Sequence, residues 1–161
     1  MTFWSNTLNI ASPTRQFRFM VSTDGDNWWW ASTCSKPSYE LTTEEYKLIN
    51  HKFKYPGVVT WNDVNITIVD TSVQTDKLIY DLEASGYYPE DPFEDGISKK
   101  GSYKALGVFN IKQLDGEGNA VEKWTLKNAF IKSVNFGQLD YTSDELVKLE
   151  LVISYDYATI E

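Results

Sequence analysis

The stretch LVKLELVISYDY, from Leu146 to Tyr157, carries the clearest indication of the fold. Apolar or aromatic side chains recur at every second position of this stretch, at Val147, Leu149, Leu151, Ile153, Tyr155 and Tyr157. A period of two residues is typical of a β-strand that buries one face and exposes the other. The sequence therefore predicts one long strand that ends in Tyr155-Asp156-Tyr157.

Shorter alternating runs precede it and bring the expected total to six to eight strands. They cover residues 15–23, 28–33, 58–70, 103–114, 121–126 and 129–134. Residues 24–27 and 115–119 are rich in Gly, Asp and Asn, which predicts turns that make hairpins of the runs beside them. The phase of the run 58–70 slips at Asn62-Asp63, which predicts a bulge.

Helix patterns are few. Residues 71–85 combine a capping pair, Thr71 and Gln74, with an apolar stripe and a stop at Gly86. A second capping pair, Thr42 and Glu45, predicts a helix of about two turns up to Asn50, before a turn at Pro56-Gly57. The chain is thus expected to be mainly β, an antiparallel two-sheet sandwich or barrel with one flanking α-helix. We expect a single domain over 1–161, with residues 1–14 irregular.

Composition narrows the classes of function. The chain has 161 residues, an aromatic fraction of 15% and a formal net charge of −8. A negative net charge argues against binding to nucleic acid, because phosphate binding requires clustered lysine and arginine. The amino terminus does not resemble a signal peptide, and no run is long enough to span a membrane. We expect a protein that folds in a cytoplasm.

The residues that usually carry catalysis are scarce. Cys34 and His51 are the only cysteine and histidine, and neither lies in a nucleophile motif. The acidic turns at 24–28 and 115–119 do not fit the spacing of a calcium-binding loop. The sequence predicts no enzymatic activity, no metal and no cofactor.

Trp28-Trp29-Trp30 is the most unusual local feature. Alternation places Trp28 and Trp30 on one face of a strand and Trp29 on the other, so both faces meet something apolar. Three interpretations remain open: a core on both sides, a platform on which sugars stack, or a protein interface. The second would make the chain a carbohydrate-binding β-sandwich module.

Two segments resemble the tail tube proteins of contractile bacteriophages and related injection systems. The first runs from Lys36 to Asp70 and includes a Pro-Gly pair before a Trp-containing strand that ends in Val-Asp. The second runs from Leu126 to Tyr157 and ends in the Tyr-Asp-Tyr strand. With the order of elements, the resemblance covers about two thirds of the chain.

The resemblance implies a structural subunit of a virion tail, assembled in the host cytoplasm. Six copies would form a ring, and rings would stack into a tube through which DNA passes without specific binding. The sheath protein would lie outside, with baseplate and terminator proteins at the ends. A baseplate tube initiator or the inner tube of an injection system would share this fold. No membrane is implied.

Candidate contact residues follow from the aromatic segments. We expect residues 42–57 to form the loop that reaches the next ring. We expect two other aromatic clusters, Trp28-Trp29-Trp30 and the pair Tyr155 and Tyr157, to serve contacts between subunits. The candidates are Thr42, Glu44, Glu45, Tyr46, Leu48, Asn50, His51, Phe53, Tyr55, Trp28, Trp29, Trp30, Tyr155 and Tyr157. Part of the carboxylate excess is expected on the wall of the lumen.

Overall fold

A computed structural model describes residues 14–24, 26–28, 31–91 and 96–161. The predicted irregular segment 1–14 lies, except for Thr14, outside these residues. The elements in chain order are β1 (Phe19–Thr23), β2 (Asp26–Asn27), β3 (Ala31–Cys34), β4 (Ser38–Leu48), β5 (His51–Asn62), β6 (Val64–Val69), α1 (Ser72–Ala84), α2 (Lys99–Leu106), β7 (Phe109–Leu114), β8 (Ala120–Lys127), β9 (Phe130–Asn135), β10 (Lys148–Ser154) and β11 (Tyr157–Ile160).

Two antiparallel sheets form the body of the protein. One has five strands in the order β11-β8-β7-β1-β2, and the other has four in the order β3-β6-β10-β9. Within the part of the chain that the structure describes, strands β4 and β5 pair only with each other and form a separate hairpin. The predicted class, mainly β with antiparallel sheets, is confirmed.

Side chains from both sheets meet in one apolar core. The five-stranded sheet contributes Val21, Phe109, Ile111 and Leu126, and the four-stranded sheet contributes Val64, Ile66, Ile68, Leu149, Leu151 and Ile153. Strand β10 buries Leu149, Leu151 and Ile153 and exposes Lys148 and Glu150. From Leu149 to Tyr155 the alternation therefore reflects burial of one face, as the sequence predicts. The prediction of one long strand up to Tyr157 is wrong, because β10 ends at Ser154 and the exposed Tyr157 begins β11 in the other sheet.

Three of the changes of sheet along the chain alter the predicted strand pattern. Strand β10 ends at Ser154, and β11 begins at Tyr157 in the other sheet, where it pairs with β8. At Asp63 the predicted run 58–70 divides into β5 and β6, so the expected bulge is a break between two strands. Alternation records which face is buried, and it does not record which sheet the strand belongs to.

The third change of sheet corrects the predicted first hairpin. The run 28–33 was expected to pair with 15–23, but β3 pairs with β6 in the four-stranded sheet. Strand β1 pairs instead with the two-residue β2 and with β7. The acidic turn between β7 and β8 forms as predicted, with the Asp115 amide donating to the Asn119 carbonyl at 2.9 Å.

Helix α1 confirms the predicted helix over residues 71–85. Thr71 is its N-cap, and its hydroxyl accepts a hydrogen bond from the Gln74 amide at 3.4 Å. Leu78 is the buried residue of its apolar stripe. The helix ends at Ala84, and Gly86 then adopts a φ of 110°.

A second helix, α2, lies where the sequence predicts the end of a loop and the start of a strand. Ser98 caps it by accepting from the Gly101 amide at 3.0 Å, and Gly107 ends it with a φ of 76°. A side chain at Gly107 would collide with the carboxylate of Asp24, which accepts from the Val108 amide at 2.9 Å. Helix α2 packs against β9 and α1 against α2. Within the described residues, neither helix is long and apolar enough to cross a membrane.

The predicted short helix from Thr42 to Asn50 is wrong. Residues 38–62 form the hairpin β4–β5, called the arm below, with its turn at Ile49-Asn50. Pro56-Gly57 lies within β5, at a shift of register, and is not the turn. The Thr42 hydroxyl accepts from the Val58 amide at 2.9 Å at this irregularity. Cross-strand pairing over the whole segment outweighs the capping pattern, which only a helix could use.

Candidate assembly interface

The arm is exposed over nearly its whole length. All eleven residues of β4 and the first ten of β5 are exposed. A strand of eleven residues spans about 35 Å, so the arm extends far beyond a single layer of side chains. An isolated two-stranded hairpin is only marginally stable in water. We therefore expect the exposed arm to be stabilised by contact with another protein chain.

One face of the outer part of the arm, residues 44–55 (the outer arm below), is aromatic. The register places Tyr46 opposite Phe53, and residues two positions further along each strand, Tyr55 and Leu48, share that face. His51, opposite Leu48, lies edge-on to Phe53 with ring centroids 4.7 Å apart. Exposed apolar surface that is contiguous in this way typically marks a site of protein contact.

The opposite face of the outer arm is charged. Lys47 lies directly opposite Lys52, and Glu45 lies opposite Lys54. The Lys52 ammonium forms a salt bridge with the Glu45 carboxylate at 3.2 Å. Like charges that face each other across a strand pair are unfavourable, so the Lys47–Lys52 pair weakens the hairpin in the isolated chain.

Aromatic contacts join the base of the arm to the core. The ring of Tyr39 lies 5.3 Å from that of Trp61, and Trp61 lies 6.0 Å from Tyr155. Tyr155 is 7% exposed, and its burial raises the pKa of its hydroxyl above the ordinary value. The Lys132 ammonium binds the Asp63 carboxylate at 2.8 Å immediately beyond the arm. These contacts set the direction in which the arm leaves the body.

The structure brings together nine of the residues selected from sequence and separates the others. The arm carries Thr42, Glu44, Glu45, Tyr46, Leu48, Asn50, His51, Phe53 and Tyr55, all exposed. Trp28 and Tyr155 lie in the core, so we leave them out of the proposed contact surface. Tyr157 is partly exposed on β11. Trp29 and Trp30 lie outside the described residues.

Trp28 packs against the five-stranded sheet. Its exposed fraction is 6%, and its indole nitrogen donates to the Thr23 hydroxyl at 3.1 Å. The ring meets Phe109 edge-on, with centroids 5.6 Å apart. Of the interpretations open at the sequence level, the position of Trp28 fits a core residue.

A second exposed apolar surface, which sequence reasoning did not select, is the connection between β9 and β10. This segment, residues 136–147, is called the receptor loop below. It exposes Leu139 (86%), Leu146 (71%) and the whole side chain of Tyr141. Asp140 braces it by accepting from the Thr142 amide at 2.9 Å, and this bond lowers the pKa of the Asp140 carboxyl. Because its apolar and polar residues do not alternate regularly, the pattern used to predict strands does not mark this segment.

The residues considered for catalysis lie on different elements. Cys34 belongs to β3, and burial raises the pKa of its thiol to about 12, so it carries almost no reactive thiolate near neutral pH. His51 is exposed on the arm. In the part of the chain that the structure describes, no three His, Cys, Asp or Glu side chains are grouped to hold a metal ion.

Asp156 ties together the turn where the chain changes sheet. Its carboxylate binds the Lys99 ammonium at 2.7 and 2.8 Å and accepts from the Asn128 side-chain amide at 2.8 Å. The Lys99 contact, followed by that of Asn128, lowers the pKa of Asp156 below its ordinary value. The ion pair joins the start of α2 to both sheets.

This lowered pKa predicts an acid-dependent contribution to stability. Asp156 stabilises the fold fully above the carboxyl's ordinary pKa of about 4, and the contribution is lost as pH falls through the lower pKa of the folded state. Because the pair is partly exposed, we expect Asp156→Asn to cost at most about 1 kcal/mol at pH 7. Urea unfolding should show this difference shrinking as pH falls below about 4. A difference that stays constant down to pH 3 contradicts the assignment.

A family model settles the class of the chain. The model of the T4-like virus tail tube protein gp19 matches residues 15–159, nearly the whole chain. The chain belongs to this tail tube family. No curated protein matches it significantly in sequence. Members of the family are structural proteins of phage-like tails, and the resemblance derived from residues 36–70 and 126–157 is confirmed.

Solved structures share the tail tube fold at low sequence identity. The cap that terminates the tube of the anti-feeding prophage aligns over 100% of this chain and 99% of that one, with 17% identity and a TM-score of 0.74. The extracellular contractile injection system PVC gives two further likenesses. Its sheath/tube terminator aligns over 94% and 99% (18% identity, TM-score 0.73), and its sheath-tube complex over 94% and 93% (18%, 0.70).

Proposed function

We propose that this tail tube protein is the repeating subunit of a contractile tail. Six copies form a ring, and rings stack into a tube inside a sheath, between a baseplate and a terminator. The tube belongs to the virion and is assembled in the cytoplasm of the bacterial host. The observation that carries the proposal is the arm, an extended hairpin with an aromatic face that the subunit itself leaves uncovered.

Contact between rings is the role that the arm fits best. Its base contacts the body through Trp61 and Tyr155, and its outer half is exposed among the described residues, so it is available to another copy. Tyr46 and Phe53 would supply the buried apolar centre of such a contact. Large aromatic side chains in the centre of an interface commonly provide most of its binding free energy.

Contact within a ring is a role for the sheet edges. Strand β11 lies at one edge of the five-stranded sheet, and β3 and β9 lie at the edges of the four-stranded sheet. A free edge presents unpaired amide and carbonyl groups that can pair with a strand of another chain. Tyr157, on β11, lies at such an edge.

A lumen wall with excess carboxylates suits passage of DNA. The chain carries a formal net charge of −8. Carboxylates at the wall would repel phosphates and so prevent DNA from binding tightly. At physiological ionic strength the repulsion is screened beyond about 8 Å, so it would not stop a duplex in the centre of a wide channel.

Two neighbouring roles share the same fold. A baseplate initiator or the inner tube of an injection system would keep the arm and the edges. A tube terminator would share it too, since two terminator structures (TM-scores 0.74 and 0.73) and a sheath-tube complex (0.70) align with the chain almost equally well.

Electron microscopy of the purified protein in negative stain tests the proposal. A repeating subunit is expected to give rings at low concentration and tubes of many rings at high concentration. A terminator would give single rings that do not elongate. Monomers alone at all concentrations, measured also by light scattering after size exclusion, would contradict assembly altogether.

A further inference from the structure

The outer arm carries a small excess of positive charge in an acidic chain. Residues 44–55 contain three lysines, one histidine and two glutamates, whereas the whole chain has a net charge of −8. Lys47 and Lys52 face each other next to the turn, and Ile49 in the turn is 95% exposed. The end of the arm thus combines an apolar tip with a like-charge pair that an acidic partner would relieve.

The receptor loop has the complementary character. Its twelve residues include Asp140, Asp144 and Glu145 and no basic residue. It curves around a concavity of about 750 Å³. The lining includes the apolar side chains of Leu139, Tyr141 and Leu146, the carboxylates of Asp140 and Glu145, and Lys148 at the start of β10. The apolar side chains of the loop are suited to contact the apolar tip of the arm, and its carboxylates are suited to contact the lysines of the arm.

Topology places the base of the arm and the receptor loop at opposite ends of one sheet. The arm enters β6 at Val64, and the receptor loop leads into β10 at Lys148. Val64 pairs with Ile153 at one end of the β6–β10 pair, and Val69 pairs with Lys148 at the other. The Asp70 amide donates to the Val147 carbonyl at 2.8 Å, which fixes the loop to the far end of β6. About 17 Å of strand separates the base of the arm from the loop.

We propose that the receptor loop of one subunit binds the tip of the arm of a second copy. Ile49 enters the concavity against Leu139, Tyr141 and Leu146, while Lys47 and Lys52 lie against the loop's carboxylates. Because the arm starts at one end of the sheet and the loop lies at the other, the contact joins copies head to tail and can repeat indefinitely. This inference rests on the proposed function and adds the surface that receives the arm.

Charge reversal on each side tests the contact. Lys47→Glu/Lys52→Glu and Asp144→Lys/Glu145→Lys are each expected to raise the concentration needed for stacking at least ~10-fold, because like charges then meet. A matched control is Lys100→Glu/Lys104→Glu, which makes the same change of charge on exposed residues of α2 and should stack normally. Circular dichroism checks that each variant is folded.

Mixing the two reversed proteins gives the decisive result. Each reversed arm then meets a reversed loop, and each unaltered arm meets an unaltered loop, so an equimolar mixture should elongate where neither protein does alone. Failure of the mixture, with protein whose residues 44–55 are replaced by Asn-Gly also unable to stack, would overturn the loop as receptor and leave the arm's role intact. Normal stacking by that truncated protein would overturn the arm's role between rings, and monomers at all concentrations would overturn the proposed function itself.

Discussion

Replacing residues 44–55 with Asn-Gly is expected to abolish elongation of the tube while leaving the subunit folded. The register pairs Thr43 with Pro56, so a two-residue turn joins the shortened strands without shifting them. The change removes the aromatic face and the lysines but retains the Tyr39–Trp61–Tyr155 contacts at the base. We expect the concentration for stacking to rise at least ~100-fold, since a few buried aromatic side chains dominate most interfaces.

Stability measurements separate this effect from misfolding. Because the outer arm is exposed in the subunit, its removal should change the free energy of unfolding by less than about 1 kcal/mol. Phe53→Ser tests the aromatic face alone, and Tyr80→Ser, at an exposed aromatic residue of α1, is the matched control. Tubes of normal length from the truncated protein, seen in negative stain, would rule out the arm as the contact between rings.

Trp28→Ala is expected to cost about 3–5 kcal/mol of unfolding free energy, which is the usual cost of removing a large buried ring. The substitution opens a cavity beside Phe109 and leaves the Thr23 hydroxyl without its indole donor. Urea unfolding measures the loss directly. Trp28→Phe, which keeps an aromatic ring but lacks the donor, should cost less, about 1–3 kcal/mol.

The same variants distinguish a core residue from a recognition residue. If Trp28 is a core residue, the Trp28→Phe variant should assemble normally at temperatures at which it is folded. A variant of normal stability that has lost binding to a glycan array would support the carbohydrate-binding interpretation and contradict the core assignment. Tyr80→Ala, at an exposed residue of α1, provides a comparison in which aromatic surface is removed without a buried cavity.

The period of two residues was a sufficient guide to the fold class because the buried strands have one inward face. The alternation of Leu149, Leu151 and Ile153 survives in the structure. The change of sheet after β10 could not be predicted, because the alternation in the sequence continues while the buried positions of the structure shift by one residue. Tyr155 is buried just after β10, whereas in β11 Tyr157 is exposed and Ala158 packs against the core.

The arm and α2 were missed for a different reason. The segment from Thr42 to Asn50 has a helix cap but no apolar stripe for a helix to bury, and its partner strand lies beyond a turn that sequence alone did not place. Helix α2 contains a glycine in its first turn, Gly101, which lowers helix propensity. Ser98 as N-cap and Gly107 as stop were present in the sequence and could have indicated it.

The receptor loop could not be found from sequence because nothing local distinguishes it from a solvated connection. Leu139 and Tyr141 become informative only when their exposure is known. The set of residues selected on the arm was useful because its aromatic content is unusual for an exposed segment. Trp28 and Tyr155 share that aromatic character, and only the tertiary structure separates them from the arm residues.

The placement of arm and receptor loop at opposite ends of the β6–β10 pair also bears on how a tail is built. Stacks joined in this way have two chemically different ends, one offering free arms and the other empty loops. A baseplate and a terminator can therefore each recognise one end without competing for the other. The direction in which the tube grows would then follow from the structure of the subunit, and no additional protein would be needed to set it.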